Sequence, residues 1–120
     1  MSFKFEKLEI WNLAIDFAND VHLLTRKFPK EELFSLTSQF KRAADSISFN
    51  IAEGSIGQSD AEQVKFLRYS IRSIAECISC LHLSIKRNYI NKEEFQTYYQ
   101  KAEKIFAKTN RFKINLRKAN

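Results

Sequence analysis

Between residues 64 and 85 the chain places Val64, Leu67, Ile71, Ile74, Ile78, Leu81 and Ile85 alternately three and four residues apart over three heptads. Such spacing keeps every one of these side chains on a single helical seam and is incompatible with the period of two that a strand requires. A helix with a seam of this length needs other helices to bury it, in the manner of a coiled coil. The start of the helix is equally explicit. Ser59-Asp60-Ala61-Glu62 has the spacing of a capping box, in which serine and glutamate satisfy each other's free backbone donors. Asn88 marks its end, and beside the seam runs a stripe of small residues, Ser70, Ser73, Cys77, Cys80 and Ser84, where another backbone can approach closely.

The remaining chain supplies the partners. From Leu8 to Phe28 the apolar residues Ile10, Trp11, Leu13, Ala14, Ile15, Phe17, Ala18, Val21 and Leu24 cover more than half the circumference of a helix, and Leu23 falls outside even that arc. Phe28-Pro29 closes this helix, because the residue before a proline is pushed out of the helical region. Ser35 is placed to cap a second helix with the apolar line Leu36, Phe40, Ala43, Ile47 and Ile51, and Gly54 and Gly57 are placed to end it. Asn91 and Glu94 repeat the capping-box spacing before a fourth helix, whose inner face is Phe95, Tyr98, Ala102, Ile105, Phe106, Thr109, Phe112 and Leu116. Composition agrees with four helices and short connections: 44% of residues are hydrophobic and eleven are Phe, against two Gly and one Pro. The predicted fold is all-α, an antiparallel up-down four-helix bundle with helices over 6–28, 35–54, 59–87 and 91–116, in one domain covering residues 1–120. Lys113 and Arg117 fall on the apolar side, so the regular amphipathic helix is expected to weaken near residue 113.

Little in the sequence points to catalysis. Cys77 and Cys80 have a C-x-x-C spacing, but they lie within a helical pattern, and the only histidines are His22 and His82. A zinc site needs about four ligands, and a nucleophile needs a base and an orienting group. Neither set is visible, so the cysteines read as reduced core or interface residues, and no metal, cofactor or enzymatic activity is expected. No apolar run approaches the ~18 residues of a membrane span, and MSFKFEKLEI lacks the apolar segment of a signal peptide. A cytoplasmic protein with no membrane partner is the expectation.

On the second helix a narrow polar stripe, Gln39, Arg42, Ser46, Asn50 and Glu53, runs beside the apolar line, with Phe49 roughly opposite that line. Glu53 close to a helix C-terminus opposes the helix dipole, so a partner on another helix or subunit is expected for it. The broad arc of the first helix, the small-residue stripe and the outward Phe49 together suggest more apolar surface than one bundle buries, which predicts self-association; the alternative is a first helix that is simply central and Phe49 as one scattered surface aromatic. In this reading Arg42, Ser46, Phe49, Asn50 and Glu53 form a seam between helices or subunits.

Charge is unevenly placed. Lys and Arg number twenty and Asp and Glu fourteen, giving a net charge of +6. Residues 101 to 120 hold seven basic residues and one acid, so they account for that entire excess. Lys101, Lys104, Lys108, Arg111 and Lys118 project away from the apolar face as a stripe, a candidate surface for phosphate backbones. The alternative is a solvated helix face with a basic end that complements the helix C-terminus.

The run from Phe5-Glu-Lys-Leu-Glu-Ile-Trp through Phe28-Pro-Lys-Glu-Glu, Leu36-Thr-Ser-Gln, Arg42-Ala-Ala, Ser46-Ile and Asn50-Ile-Ala-Glu-Gly54, continued by Glu62, Phe66-Leu67, Ser73 and Glu76, carries a further signal. It resembles the four-helix bundle proteins encoded in intervening sequences of bacterial large-subunit ribosomal RNA genes. The resemblance departs at Ser48, where that family often has proline, and at Ile56-Gly57, where a Gly-Arg pair is common. It implies the bundle, a ring-shaped homopentamer and no enzyme. Accessory proteins of diversity-generating retroelements, which bind nucleic acid and a reverse transcriptase, resemble the same family. Two functions follow as expectations: an oligomeric accessory protein that binds RNA or DNA through its basic C-terminal helix, or a scaffold whose basic end recognises an acidic protein.

Overall fold

A computed structural model describes residues 2–118 of the chain. Four helices carry the structure: α1 (Glu9–Thr25), α2 (Leu36–Ser55), α3 (Asp60–Lys86) and α4 (Lys92–Lys118). Short 3-10 turns at Lys4–Lys7 and Lys30–Glu32 precede α1 and α2. At about 1.5 Å per residue α3 and α4 are each close to 40 Å long, which sets the 46 Å long dimension of the molecule. Their buried faces meet in one core, in which Phe17, Phe40, Ile47, Ile51, Leu67, Ile74, Leu81 and Ile105 are fully enclosed.

Of the two capping boxes the sequence predicts, one forms in full and the other only in its serine half, and a third cap is rearranged. Ser59 Oγ accepts the N–H of Glu62 at 3.1 Å. Asn91 and Glu94 make the reciprocal box, with side chain to backbone distances of 2.8 and 3.0 Å. At the end of α3, Asn88 adopts φ 64, the left-handed conformation that asparagine tolerates better than most residues. The N–H groups of Asn88 and Tyr89 then reach back to the carbonyls of Ile85 and Ser84, closing a Schellman turn. Ser35 does precede α2, but its hydroxyl caps nothing. It donates to Glu32 Oε1 at 2.7 Å, and that carboxylate accepts the Leu36 N–H at 3.3 Å in its place.

Glu32 also receives Arg87 Nη1 at 3.1 Å and the Tyr89 hydroxyl at 2.7 Å. It therefore fastens the α1–α2 connection to the α3–α4 connection at one end of the molecule. These hydrogen bonds, first Ser35 and then Tyr89, hold its carboxyl well below the ordinary value, at about 2. Tyr89 is pushed up in turn, chiefly by the same bond.

The α2–α3 contact is the closest in the bundle. Ser70 Oγ donates to the Ile47 carbonyl at 2.9 Å, and Ser73 Oγ meets Ser46 Oγ at 2.9 Å. A Cβ added at Gly54 would stand 2.9 Å from Phe66 Cβ. Gly54 thus lies inside the last turn of α2 and serves close approach, with no left-handed conformation at either glycine. The small-residue stripe of α3 is buried against α2 of the same chain, so it offers no surface to a second subunit. Cys77 and Cys80 belong to this stripe. Burial pushes the Cys77 thiol far up and Cys80 up to about 11, which keeps both protonated.

Three helix ends differ from expectation. The chain before Glu9 turns as a 3-10 segment and packs Phe5 at a tilt against Trp11, at 5.1 Å between ring centroids, so α1 begins after residue 6. Its last helical residue is Thr25, ahead of Phe28-Pro29. The expected weakening of α4 near residue 113 is absent, and the helix continues to Lys118 because Phe112 and Leu116 still pack against the core.

Candidate nucleic-acid interface

The basic residues of α4 do not form one uninterrupted stripe. Successive side chains turn by about 100°, and Lys101 and Lys108 fall on the edge of α4 that borders α1. Lys101 Nζ lies 2.8 Å from Asp20 Oδ2, and Lys108 Nζ lies 3.1 Å from Glu9 Oε1. Lys27 and Glu94 bond to each other at the far end of the same border. Along this line the residue numbers rise on α4 as they fall on α1. Tyr98 adds a half-buried contact, its hydroxyl donating to the Asp20 carbonyl at 3.0 Å, and burial followed by the Asp20 charge raises its pKa.

Lys104, Arg111 and Lys118 are exposed, and among the described residues none has an acidic partner. Lys104, Lys108 and Arg111 line one wall of a groove of about 550 Å³ between the start of α1 and the second half of α4. Its floor is apolar, formed by Leu8, Ile10 and Phe112. The helical projection placed these five cations on one stripe but could not show that acids of α1 compensate two of them, since it does not reveal which helix lies alongside.

The predicted polar seam of α2 divides in a similar way. Asn50 Nδ2 donates to the Ser46 carbonyl at 2.9 Å and to Ser46 Oγ at 3.0 Å, and Ser46 meets Ser73, so these residues join α2 to α3. Gln39 reaches Glu76 at 3.3 Å across the same contact. Arg42, Phe49 and Glu53 instead face outward. Among the described residues neither Arg42 nor Glu53 has an ion-pair partner, and Phe49 is 65% exposed. Ile56, 59% exposed, continues the same outer face at the end of α2.

Two features were not legible in the sequence. His22 Nε2 contacts both oxygens of Asp45, at 3.1 and 3.2 Å, a pairing between helices that no local motif announces. Among the described residues no serine or cysteine is hydrogen-bonded to His22, so the pair lacks a nucleophile. The second feature is an aromatic cluster of His82, Phe95 and Tyr99 on the α3–α4 surface. Among the described residues no group of three or more His, Cys, Asp or Glu side chains is arranged to hold a metal ion, and no helix is long and apolar enough to cross a membrane.

Comparison with known proteins agrees with this architecture. A crystal structure of a protein of unknown function from the S23 ribosomal protein family of Bacteroides thetaiotaomicron VPI-5482 superposes with a TM-score of 0.80. The two chains are 22% identical, and the alignment covers 87% of this chain and 94% of the other, a likeness of fold. No curated protein matches the sequence. The family model described as 23S rRNA-intervening sequence protein matches residues 6–111, nearly the whole of the four helices. The chain therefore belongs to the 23S rRNA-intervening sequence protein family.

Proposed function

We propose that the protein is a non-enzymatic, cytoplasmic accessory factor, an antiparallel up-down bundle that binds the phosphate backbone of RNA or DNA on the outer face of α4. The observation that carries this reading is the concentration of the whole +6 excess in residues 101 to 120, with Lys104, Arg111 and Lys118 exposed and free of acidic partners among the described residues. Cations in that state attract phosphates without reading base sequence and release condensed counterions on binding. Lys101 and Lys108 stand ready to join them by leaving Asp20 and Glu9, because exposed ion pairs are worth at most about 1 kcal/mol.

The factor acts as a homo-oligomer, the ring of five that the resemblance implies. Arg42, Phe49, Glu53 and Ile56 share one outer face of α2 and supply the apolar and charged groups of a contact between copies. Repetition around a ring multiplies the positive field of α4.

Light scattering coupled to size exclusion, with mixed RNA and single-stranded DNA at two salt concentrations, tests both parts. A multimeric particle that takes up nucleic acid at low salt and loses it at high salt supports the proposal, and Lys104→Glu with Arg111→Glu abolishes the uptake. Phe49→Glu lowers the particle mass at unchanged helix content. A particle that ignores nucleic acid would sink the phosphate reading and leave a scaffold for an acidic protein partner.

A further inference from the structure

On the outer surface between α3 and α4, the His82 and Phe95 rings are 5.0 Å apart at 69°, and Tyr99 lies 5.7 Å from Phe95 and 6.4 Å from His82. They border an open cleft of about 530 Å³, completed by Gln96, Gln100 and Glu103. Core packing explains the inner edges of Phe95 and Tyr99, which are half-buried. It does not explain the polar side of the cleft. Among the described residues the side chains of Gln96, Gln100 and Glu103 have no hydrogen-bond or ion-pair partner, so two amides and a carboxylate stand beside three rings without partners of their own.

This combination suits a flat ligand with hydrogen-bonding edges. Rings supply stacking surface, amides donate and accept, and a carboxylate accepts from an exocyclic amine or ring N–H. Rings beside a carboxylate also suit an organic cation, but the flanking charges argue against one. Lys104 lies one helical turn beyond Gln100, and Lys86 one turn beyond His82; both are exposed and, among the described residues, without an acidic partner. Two exposed cations, one near each end of an aromatic-lined cleft that holds a single carboxylate, fit a planar base joined to phosphates. Stacking of this kind is available only to a base that is not already stacked and paired in a duplex.

We propose that the His82–Phe95–Tyr99 cleft stacks an unpaired base of single-stranded RNA or DNA whose backbone passes along Lys104. The proposal rests on the phosphate-binding reading of α4 and narrows it to single strands.

The test compares two fluorescein-labelled strands, an oligodeoxyadenylate of about twelve nucleotides and an abasic strand of the same length and charge, by fluorescence anisotropy at low salt. The strand with bases is expected to bind about tenfold more tightly than the abasic strand, the usual effect of a stacked base. Tyr99→Leu and His82→Ala each bring that ratio close to one, while Tyr99→Phe preserves it. His82 is exposed, so its variant reports on the cleft even if Tyr99→Leu disturbs folding, which circular dichroism would reveal. Equal binding of both strands by the unaltered protein, or a ratio that neither variant moves, overturns the cleft and leaves phosphate binding intact. Failure of both strands to bind overturns the phosphate reading, and the cleft proposal with it.

Discussion

Ser70 of α3 donates its hydroxyl to the backbone carbonyl of Ile47 on α2 at 2.9 Å, and its side chain is wholly buried. A larger residue would have to occupy the space in which the two backbones meet. Ser70→Ala is expected to destabilise the protein by about 0.5–1.5 kcal/mol, the worth of one such bond. Ser70→Leu should cost more, about 1–3 kcal/mol from overpacking alone. Urea unfolding of both variants provides the check, and a leucine variant as stable as the alanine one would contradict the close contact.

Gly54 gives a second measure of the same contact from the opposite helix. Alanine normally favours a helix over glycine by about 1 kcal/mol. Here the added Cβ would lie 2.9 Å from Phe66 Cβ and 3.3 Å from the Gln63 carbonyl, atoms tied to backbone that cannot simply swing away. Gly54→Ala is therefore expected to lower stability by about 1–3 kcal/mol despite its helix preference. A rise in melting temperature would refute this reading.

Glu32 predicts an acid-sensitive step. Its carboxyl is held at about 2 in the folded chain against an ordinary value of 4.5, so the folded state favours the ionised form. The associated stability is present above the unfolded value and is lost as pH falls from about 4.5 towards 2. Glu32→Gln should weaken the protein at neutral pH and flatten the decline across that window. Chemical denaturation of both proteins at several pH values decides it; parallel pH profiles would count against the role assigned to Glu32.

Glu9 and Asp20 bear on the proposed interface. Neutralising both, by Glu9→Gln with Asp20→Asn, frees Lys108 and Lys101. Fold stability should change by less than about 1 kcal/mol, since the pairs are exposed. Nucleic-acid affinity at low salt should rise, and the salt dependence should steepen by about 0.7–0.9 for each additional phosphate neutralised. A titration series in salt reads this directly, and an unchanged slope would mean that these lysines never reach a phosphate.

Local patterns were legible and remote pairings were not. The α3 helix, the Asn91–Glu94 box and the Ser59 half of the predicted Ser59–Glu62 box depend on residues within a few positions of one another and appear where the spacing places them, although Ile71, Ile78 and Ile85 of the α3 seam are only half-buried. Glu32 was hidden because Lys30-Glu31-Glu32 reads as a charged connection, while Arg87 and Tyr89 lie 55 and 57 residues away. The small residues of α3 signalled close approach, but not that α2 of the same chain would fill the space. The end of α4 was missed for a related reason: Lys113 and Arg117 broke the amphipathic pattern, yet the inner packing of Phe112 and Leu116 carries the helix past them. The candidate interface was legible as a concentration of charge; its division into compensated and free cations became visible only with α1 in place.

The seams of the bundle are unequal in kind. The α2–α3 seam is built from serines and a glycine that bring backbone against backbone. The α1–α4 seam is spanned largely by long charged side chains, with open grooves of about 550 and 320 Å³ along it. The α2–α3 hairpin is thus expected to be the stiffest part of the bundle, with the first and last helices more loosely joined to each other. Amide protons should exchange last from the hairpin and first where the outer helices meet, on the side where the basic groove lies, so the surface proposed to meet a charged polymer is expected to be the one that yields most easily to fit it.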